Sequence, residues 1–570
     1  MAEEVWMLQT KKADFKQIGA RFRIDPVTAR IIRNRGIEGE AAIDRYLNGT
    51  LDDLYDPMLL KDMERAVSIL CEAVDTGKKI RIVGDYDIDG VCSTYILLQA
   101  FERLGSDVDF EIPDRIKDGY GINESIIEQA HADGVEVILT CDNGISAFHQ
   151  VELAKKYGMT VVITDHHEVP LDGEKEKIPP ADAVIDPKQA DCPYPFPEIC
   201  GAVVAYKLVQ VLYARRGVPQ MEWLDLLEFA AIATVGDVMK LQDENRILVK
   251  YGLKKMAQTK NLGLRRLAEK NNLDLGAITA YHIGFVIGPC LNAGGRLKTA
   301  KEALALLRAQ SEEEAERLAE ELKELNDTRK DMTEQGTEAA KLQVESWYQK
   351  DKVLVVFLPE CHESLAGIIA GRLREYYQKP AIVLTRGEEA VKGSGRSIDE
   401  YHMFKKLTEV SDLLLKFGGH PLAAGLSLEE KNIDEFRRRL NENAGLTEED
   451  FKAKVWIDVP MPVGYVTERL VRELSCLEPF GQGNGKPLFA EKSLRIRASR
   501  VLGRNRNVVK MTLEETDGHA IEALYFGDGT AFEEERAGRR EIDVVYYPDI
   551  NEYNGRKTLQ AVIRRYKFRG

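Results

Sequence analysis

Cysteine is scarce and unorganised: eight residues are scattered over 570 positions without a single C-x-x-C, and only Cys192 and Cys200 lie near one another. That excludes a zinc knuckle and a disulfide framework, and leaves reduced thiols in cores as the expectation. Long apolar runs are missing as well. No uninterrupted stretch is long enough to span a bilayer, and the opening "MAEEVWMLQTKKADFKQIGARF" lacks the apolar segment of a secretory signal. A cytoplasmic protein with no membrane partner is expected. Internal repeats and low-complexity segments are absent too.

Net positive charge is also lacking. The formal charge of −15 disfavours a nucleic-acid partner, but it is unevenly spread. From Phe451 to Gly570 there are 21 Lys plus Arg against 17 Asp plus Glu, so this segment is +4 and the first 450 residues are −19. Lys492, Arg495, Arg497, Arg500, Arg504, Arg506 and Lys510 follow one another with no acidic residue between them. A local basic surface is expected there, with Tyr525 or Phe526 as a stacking surface or else as barrel core.

The length points to about three or four domains, and an apolar fraction of 44% is ordinary for a globular chain. Between residues 60 and 240 helical patterns alternate with the apolar runs "KIRIV", "VDFEI", "VEVILT", "TVVIT" and "DAVI". That alternation is expected of a parallel sheet with helices on both faces. A charged helical stretch from 311 to 347, with Leu318, Leu322 and Leu325 on one face, reads as a connecting helix. A second α/β unit with strands "KVLVVFL" and "AIVLT" follows. Five short alternating segments after residue 451 suggest a small β-barrel of OB type.

The segment "RIVGDYDIDGVCST" sets Asp85, Asp87 and Asp89 at alternate positions and closes on Gly90. An EF-hand loop starts the same way but needs a Glu at position 12, which here is Ile96. Its flank reads as a strand, not as the helix an EF-hand requires. The carboxylates then stand at the C-terminal end of a strand, where open α/β sheets bind ligands. "VILTCDNGI" ends in Asp142, "VVITDHHE" in Asp165, His166 and His167, and "IATVGDVMKL" presents Asp237. Asp186 in "VIDP" reads as a turn residue. Such a set exceeds the needs of one divalent ion and suits two. Carboxylates with imidazole favour Mg²⁺ or Mn²⁺, and two such ions can activate a water and clamp both oxygens of an in-line phosphoryl displacement.

In their order, "DYDIDG", "CDNG", "TDHH" and "GDV" resemble the core motifs of the DHH phosphoesterases, and "FGGHPLAAGLS" resembles the Gly-Gly-His motif of their DHHA1 companion domain. "PDRIKDGYGIN", "GPCLNAGGRL", "GSGRS" and "LEPFGQGNGKPLF" narrow the resemblance to the branch specific for single-stranded DNA. The resemblance implies an N-terminal helical segment (1–60), a DHH domain (61–310), the connecting helix (311–347), a DHHA1 domain (348–450) and an OB-like domain (451–570). It implies that Asp87 and Asp142 hold one metal, and that Asp89, Asp142, His166 and Asp237 hold the other. Asp85 and Asp165 would support, and His167 would sit beside the scissile phosphate. Many members carry a His where this chain has Val83, so the first ion would be held less fully. Arg115, Arg296, Ser394, Arg396 and His420 would line the substrate path, part of this set recognising a 5′ phosphate.

The activity implied is 5′-to-3′ exonucleolytic hydrolysis of single-stranded DNA to mononucleotides in repair and recombination, by a monomer. A single-stranded-DNA-binding protein and a helicase would be its partners. Two rival readings are a phosphodiesterase of the same superfamily acting on short oligonucleotides or cyclic dinucleotides, and a catalytically idle nucleic-acid-binding protein. The extra basic β-domain speaks against the first and the intact acidic set against the second.

Overall fold

The five apolar runs before residue 190 become parallel strands, buried on both faces where Val, Ile and Leu are near-continuous and half-buried at the edge strand "VDFE". In the computed structural model, which describes residues 4–115, 117–553 and 555–569, they are β1 (Ile80–Val83), β2 (Val108–Glu111), β3 (Val137–Cys141), β4 (Thr160–Thr164) and β5 (Ala183–Ile185). Their order is β2-β1-β3-β4-β5, all parallel. The helices that matter for the site are α1 (Ile88–Arg103), α2 (Gly201–Arg216) and α3 (Leu227–Gly236). Each is apolar around most of its circumference and correspondingly buried.

A continuous helical run follows, made of Ala280–His282, a π turn Ile283–Ile287 and α4 (Gly288–Leu297). The connecting helix α5 (Glu312–Gln343) begins where Ser311 caps the Glu314 amide, with three glutamates in its first turn. Leu318 and Leu322 are buried and Leu325 half-buried. Gly336 lets α5 approach the next helix, α6 (Ala366–Tyr377): a Cβ there would lie 2.6 Å from Ile369. The second sheet contains β6 (Leu354–Phe357), β7 (Ala381–Arg386), β8 (Val391–Arg396), β9 (Leu414–Gly419) and β10 (Ala423–Leu428), in the order β9-β10-β8-β7-β6. Only β6 and β7 are parallel.

All of this belongs to one compact unit, which gathers Tyr55–Met239 and Tyr251–Ala453. The other is built from three separate segments, Val5–Leu54, Lys240–Lys250 and Lys454–Gly570. Its centre is a barrel of β11 (Phe489–Leu502), β12 (Val508–Glu514), β13 (Ala520–Phe526), β14 (Glu541–Tyr553) and β15 (Arg556–Arg569). The order is β11-β12-β13-β15-β14, and β14 pairs back onto β11, so the sheet closes as an OB fold does.

Three N-terminal helices, Phe15–Phe22, Pro26–Asn34 and Glu40–Asn48, put Ile31, Ile32, Ile43 and Tyr46 into the same core as Val459, Phe489 and Tyr546. Buried Arg246 ties the three segments together: it donates to the carbonyls of Tyr46 (3.0 Å), Leu477 (2.8 Å) and Cys476 (2.7 Å). The "GQGN" turn has a structural role, since Asn484 donates to the Leu477 and Pro479 carbonyls and accepts from the Tyr46 hydroxyl.

All eight cysteines are free, five of them buried. Among the described residues no helix is long and apolar enough to cross a membrane.

Candidate active site

The edge of the parallel sheet at the strand C-termini collects the acidic residues. Asp87 follows β1 and caps α1, accepting from the amides of Asp89 (2.9 Å) and Gly90 (3.2 Å). The helix therefore starts at Ile88. Gly90 is required because a Cβ there would lie 2.4 Å from the Asp85 carbonyl oxygen. Asp89, in the first turn of α1, is held by the N-terminal amides of α2: Gly201 and Ala202 each donate to it at 2.7 Å. Asp142 follows β3 with a positive φ of 60°, a region Asp tolerates better than most residues. Gly201 permits this approach, since its Cβ would meet the Asp142 Cβ at 2.7 Å.

Asp165, His166 and His167 follow β4. Asp237 departs from the strand-end expectation, because it is the C-cap of α3. Its preceding run "FAAIATVG" is apolar throughout and is helical, as a buried helix can be.

Three overlapping donor sets result: Asp85, Asp87 and Asp142; Asp89, His166 and Asp237; and Asp142, His166 and His167. Within each set the candidate ligand atoms lie within 4.8 Å of one another. His166 Nε2 lies 3.1 Å from Asp142, 3.4 Å from Asp89 and 3.8 Å from Asp237. Burial and the neighbouring Asp87 push Asp85 up to about 8. Burial with Asp89 and Asp87 pushes Asp237 up to about 8, and burial with the same neighbours raises Asp142. A cation is what relieves such crowding, and oxygen donors with imidazole and no thiolate fit Mn²⁺ or Mg²⁺.

Asp165 behaves differently. Burial raises it, but the hydrogen bond and charge of His167, the charge of His166 and the Ile145 amide together outweigh that and leave it below the usual carboxylate range. In return His167, which burial would lower, is held up at about 9 by Asp165 at 2.7 Å. Asp186 is fully buried behind this pair and accepts from the Lys188 amide (2.8 Å), as a turn residue does.

Comparison with known proteins agrees with this geometry. Residues 79–234 match the DHH family N-terminal domain, 350–445 the DHHA1 domain and 457–565 the RecJ OB domain. The single-stranded-DNA-specific exonuclease RecJ of Bacillus subtilis is 36% identical over 98% of this chain and 70% of that protein. The Escherichia coli protein of the same name is 34% identical over 95% of each. The chain belongs to the RecJ family. The crystal structure of RecJ from Thermus thermophilus in complex with Mn²⁺ superposes with a TM-score of 0.84 at 28% identity, over 99% of this chain and 79% of that one.

In this RecJ-family chain a second cluster lies beside the acidic edge. Arg115 stacks on the Tyr86 ring at 3.8 Å and donates to the Gly295 carbonyl. Arg296, in the last turn of α4, donates to the Ser364 carbonyl at 3.0 Å across to the DHHA1 domain. Arg396, at the end of β8, donates to Ser394 Oγ (3.2 Å) and the Gly395 carbonyl. Gly367 in α6 leaves room for it, since a Cβ would lie 2.9 Å from both Arg396 Nη2 and Ser394 Oγ. Burial, then Arg115 and Arg329, lower Arg296 to about 10. Among the described residues none of Arg115, Arg296 and Arg396 is paired with a carboxylate. His420 is exposed on the β9–β10 turn, within electrostatic reach of Glu168.

In the barrel unit Arg497 is paired bidentately with Glu514 and Lys510 with Glu522, and Arg506 donates to Thr530. Lys492, Arg495, Arg500 and Arg504 are exposed. Tyr525 packs against Phe532 and Tyr566 in the barrel core, while Phe526 is exposed.

Sequence reasoning missed several groups at the RecJ-type site. Tyr120 reaches the Asp142 carbonyl (2.8 Å) and His167 (3.1 Å), and Asn143 ties the loop before it to β1 and β3. Arg329 adds a further guanidinium. Tyr281, in Ala280–His282, and Phe285, on the π turn, form an exposed stacked pair, 4.8 Å apart. Their i, i+4 spacing in "AYHIGFVIG" reads as core; only the structure shows them outside.

Proposed function

We propose that this chain is a metal-dependent 5′-to-3′ exonuclease that hydrolyses single-stranded DNA to mononucleotides. The observation that carries the reading is the convergence of unpaired guanidiniums and crowded carboxylates on one cleft. The first set calls for a terminal phosphate, the second for divalent cations beside a phosphodiester.

Asp87 and Asp142 would hold one ion, and Asp89, Asp142, His166 and Asp237 the other. Divalent ions bound there would supply an activated water and charge stabilisation at the scissile phosphate. His167, oriented by Asp165 and met by Tyr120, stands where it can donate to a phosphate oxygen, and Asp85 buttresses the cluster. Arg115, Arg296 and Arg396 with Ser394 bind the terminal 5′ phosphate, and His420 lies along the strand's approach. The Arg296 to Ser364 hydrogen bond narrows the opening between the DHH and DHHA1 domains, favouring one strand over a duplex.

The helical run supports the direction of the path. It crosses Ile88, which lies between Asp87 and Asp89: a Cβ on Gly288 would meet Ile88 at 3.3 Å. Exposed Tyr281 and Phe285 and half-buried Pro289, Asn292 and Arg296 recur every three or four positions, the spacing of one helix face. Arg296 and the aromatic pair lie on opposite sides of Ile88, and Phe285 is about 16 Å from Arg296 along the axis. A strand whose 5′ end is held at Arg296 would lay its 3′-continuing bases on Tyr281 and Phe285. The exposed basic residues of the barrel, Lys492, Arg495, Arg500 and Arg504, with Arg497, Arg506 and Lys510, would bind single-stranded DNA.

Family membership supports a cytoplasmic monomer working in DNA repair and recombination, with a single-stranded-DNA-binding protein and a helicase as partners. Digesting a 5′-labelled single strand and the matching duplex with Mn²⁺ or Mg²⁺ tests the reaction. Labelled mononucleotide should appear first, from the single strand alone. Initial release from the 3′ end, or equal digestion of the duplex, would refute the reading.

A further inference from the structure

One loop, 114–123, reaches both phosphate positions of the proposed site. Arg115, near its start, belongs to the arginine cluster, and Tyr120, near its end, touches the metal edge. The stretch between them is bonded to itself. The Asp118 and Gly119 amides donate to the Asp114 carbonyl (2.9 and 3.1 Å), the Lys117 amide to the Asp114 carboxylate and the Asp114 amide to the Asp118 carboxylate. The rings join the two ends a second time: Arg115 stacks on Tyr86 at 3.8 Å, and Tyr86 meets Tyr120 edge-on at 6.4 Å.

The Tyr120 hydroxyl gives its hydrogen to the Asp142 carbonyl at 2.8 Å. Its oxygen stands 3.1 Å from His167 Nδ1 and 3.2 Å from Nε2. An oxygen so nearly equidistant from both ring nitrogens is in line with neither, because their hydrogen-bonding directions diverge. The hydroxyl therefore rests against the imidazole and fixes its tilt without taking up Nε2. Nδ1 is held by Asp165 at 2.7 Å, and the ring also meets that of His166 at 4.5 Å. Nε2 is left for a substrate phosphate, on a side chain that is 43% exposed.

The loop is seated on the DHH domain partly by long hydrogen bonds. The Gly121 and Ile122 amides donate to Asp85 at 3.3 Å and to Asn143 at 3.2 Å, and Arg115 Nε to the Gly295 carbonyl at 3.2 Å. The remaining Arg115 nitrogens have no hydrogen-bond partner among the described residues. A terminal phosphate on them would add charge-assisted bonds, the stronger kind, at the end of the loop that is held least.

We propose that Tyr120 is the positioning residue of His167 and that a 5′ phosphate on Arg115 seats it, so that the end group raises the rate of the first cleavage as well as the affinity for the strand. The proposal rests on the exonuclease reading and deepens it. Arg396 and Arg296, carried on other elements, contribute to the affinity alone.

Single strands that begin with a fluorescent base analogue, 5′-phosphorylated or 5′-hydroxyl, test this with the full chain in excess and Mn²⁺ present, so that only the first cleavage is read. In the wild type the saturating rate should be higher for the phosphorylated strand. Tyr120→Phe keeps the ring against Tyr86 and removes the oxygen. It should slow the phosphorylated strand roughly tenfold, about 1.4 kcal/mol of barrier, to near the rate of the hydroxyl strand, and leave the ratio of half-saturating concentrations for the two ends unchanged. Tyr120 is 51% exposed, and an unchanged melting temperature checks that the variant folds; the wild-type comparison stands whatever the variant does. A Phe variant as fast as the wild type, or slowed equally on both ends, overturns the proposal. So does a wild type whose saturating rate ignores the end group. In all of these outcomes the first nucleotide is still released and the exonuclease reading stands, whereas no release from either strand would overturn that reading and the proposal with it.

Discussion

Asp142 belongs to two of the three donor sets, touches His166, and occupies a left-handed backbone position beside Gly201. Replacing it with Asn keeps the shape and removes the charge that the two proposed ion positions would share. Asp142→Asn should retain about a few per cent of wild-type turnover or less at saturating Mn²⁺, while binding to a single strand changes little; a gel-shift beside a nuclease assay checks both. Arg396 makes a different kind of contribution, since its guanidinium has no carboxylate to release. Arg396→Ala should cost about 1.5–3 kcal/mol of discrimination for a 5′-phosphorylated over a 5′-hydroxyl strand. The check is kcat/KM on both ends. An equal loss on the two would place Arg396 elsewhere on the strand.

At the scale of elements, the exposed aromatic pair on the helical run is the feature to probe. Tyr281→Ala with Phe285→Ala should weaken binding of strands long enough to pass the metal cluster by about 1–3 kcal/mol per unstacked base, and leave the shortest substrates nearly unaffected. Fluorescence anisotropy against strand length reads this directly. Much of the element pattern was legible beforehand. Buried parallel strands are unbroken apolar runs that stop at a polar residue, so β1, β3 and β4 announced both themselves and the acids after them. The five barrel strands could be read from alternation and turn residues. What failed was periodicity: α3 is apolar nearly all round, which hides the helical origin of Asp237, and in the 280–297 run apolar residues stand on the open face as well as the buried one, which hides the exposure of Tyr281 and Phe285. The close approach permitted by Gly201 left no signal in the sequence, because it depends on where α2 meets β3.

On the scale of the whole molecule, the barrel unit cannot be removed by cutting at residue 451. Such a truncation leaves the proposed ligands in place but strips Ile31, Ile32, Ile43 and Tyr46 of the core they complete. Residues 451–570 removed alone should therefore give a chain prone to aggregation, visible by light scattering. Arg246→Leu is the milder probe: it removes the guanidinium's hydrogen bonds to three buried carbonyls, of which Leu477's keeps Asn484 as a donor, and should lower stability by about 3–5 kcal/mol in thermal or urea unfolding.

The three-segment construction of that unit also bears on how the protein is born. The helices of the first fifty residues leave the ribosome long before Lys454 is translated, with the DHH and DHHA1 sequence in between. At about 5–20 residues per second that interval lasts on the order of half a minute. Throughout it, Ile31, Ile32, Ile43 and Tyr46 of the nascent amino terminus wait for the barrel residues that complete their core, with only the Lys240–Lys250 segment arriving earlier.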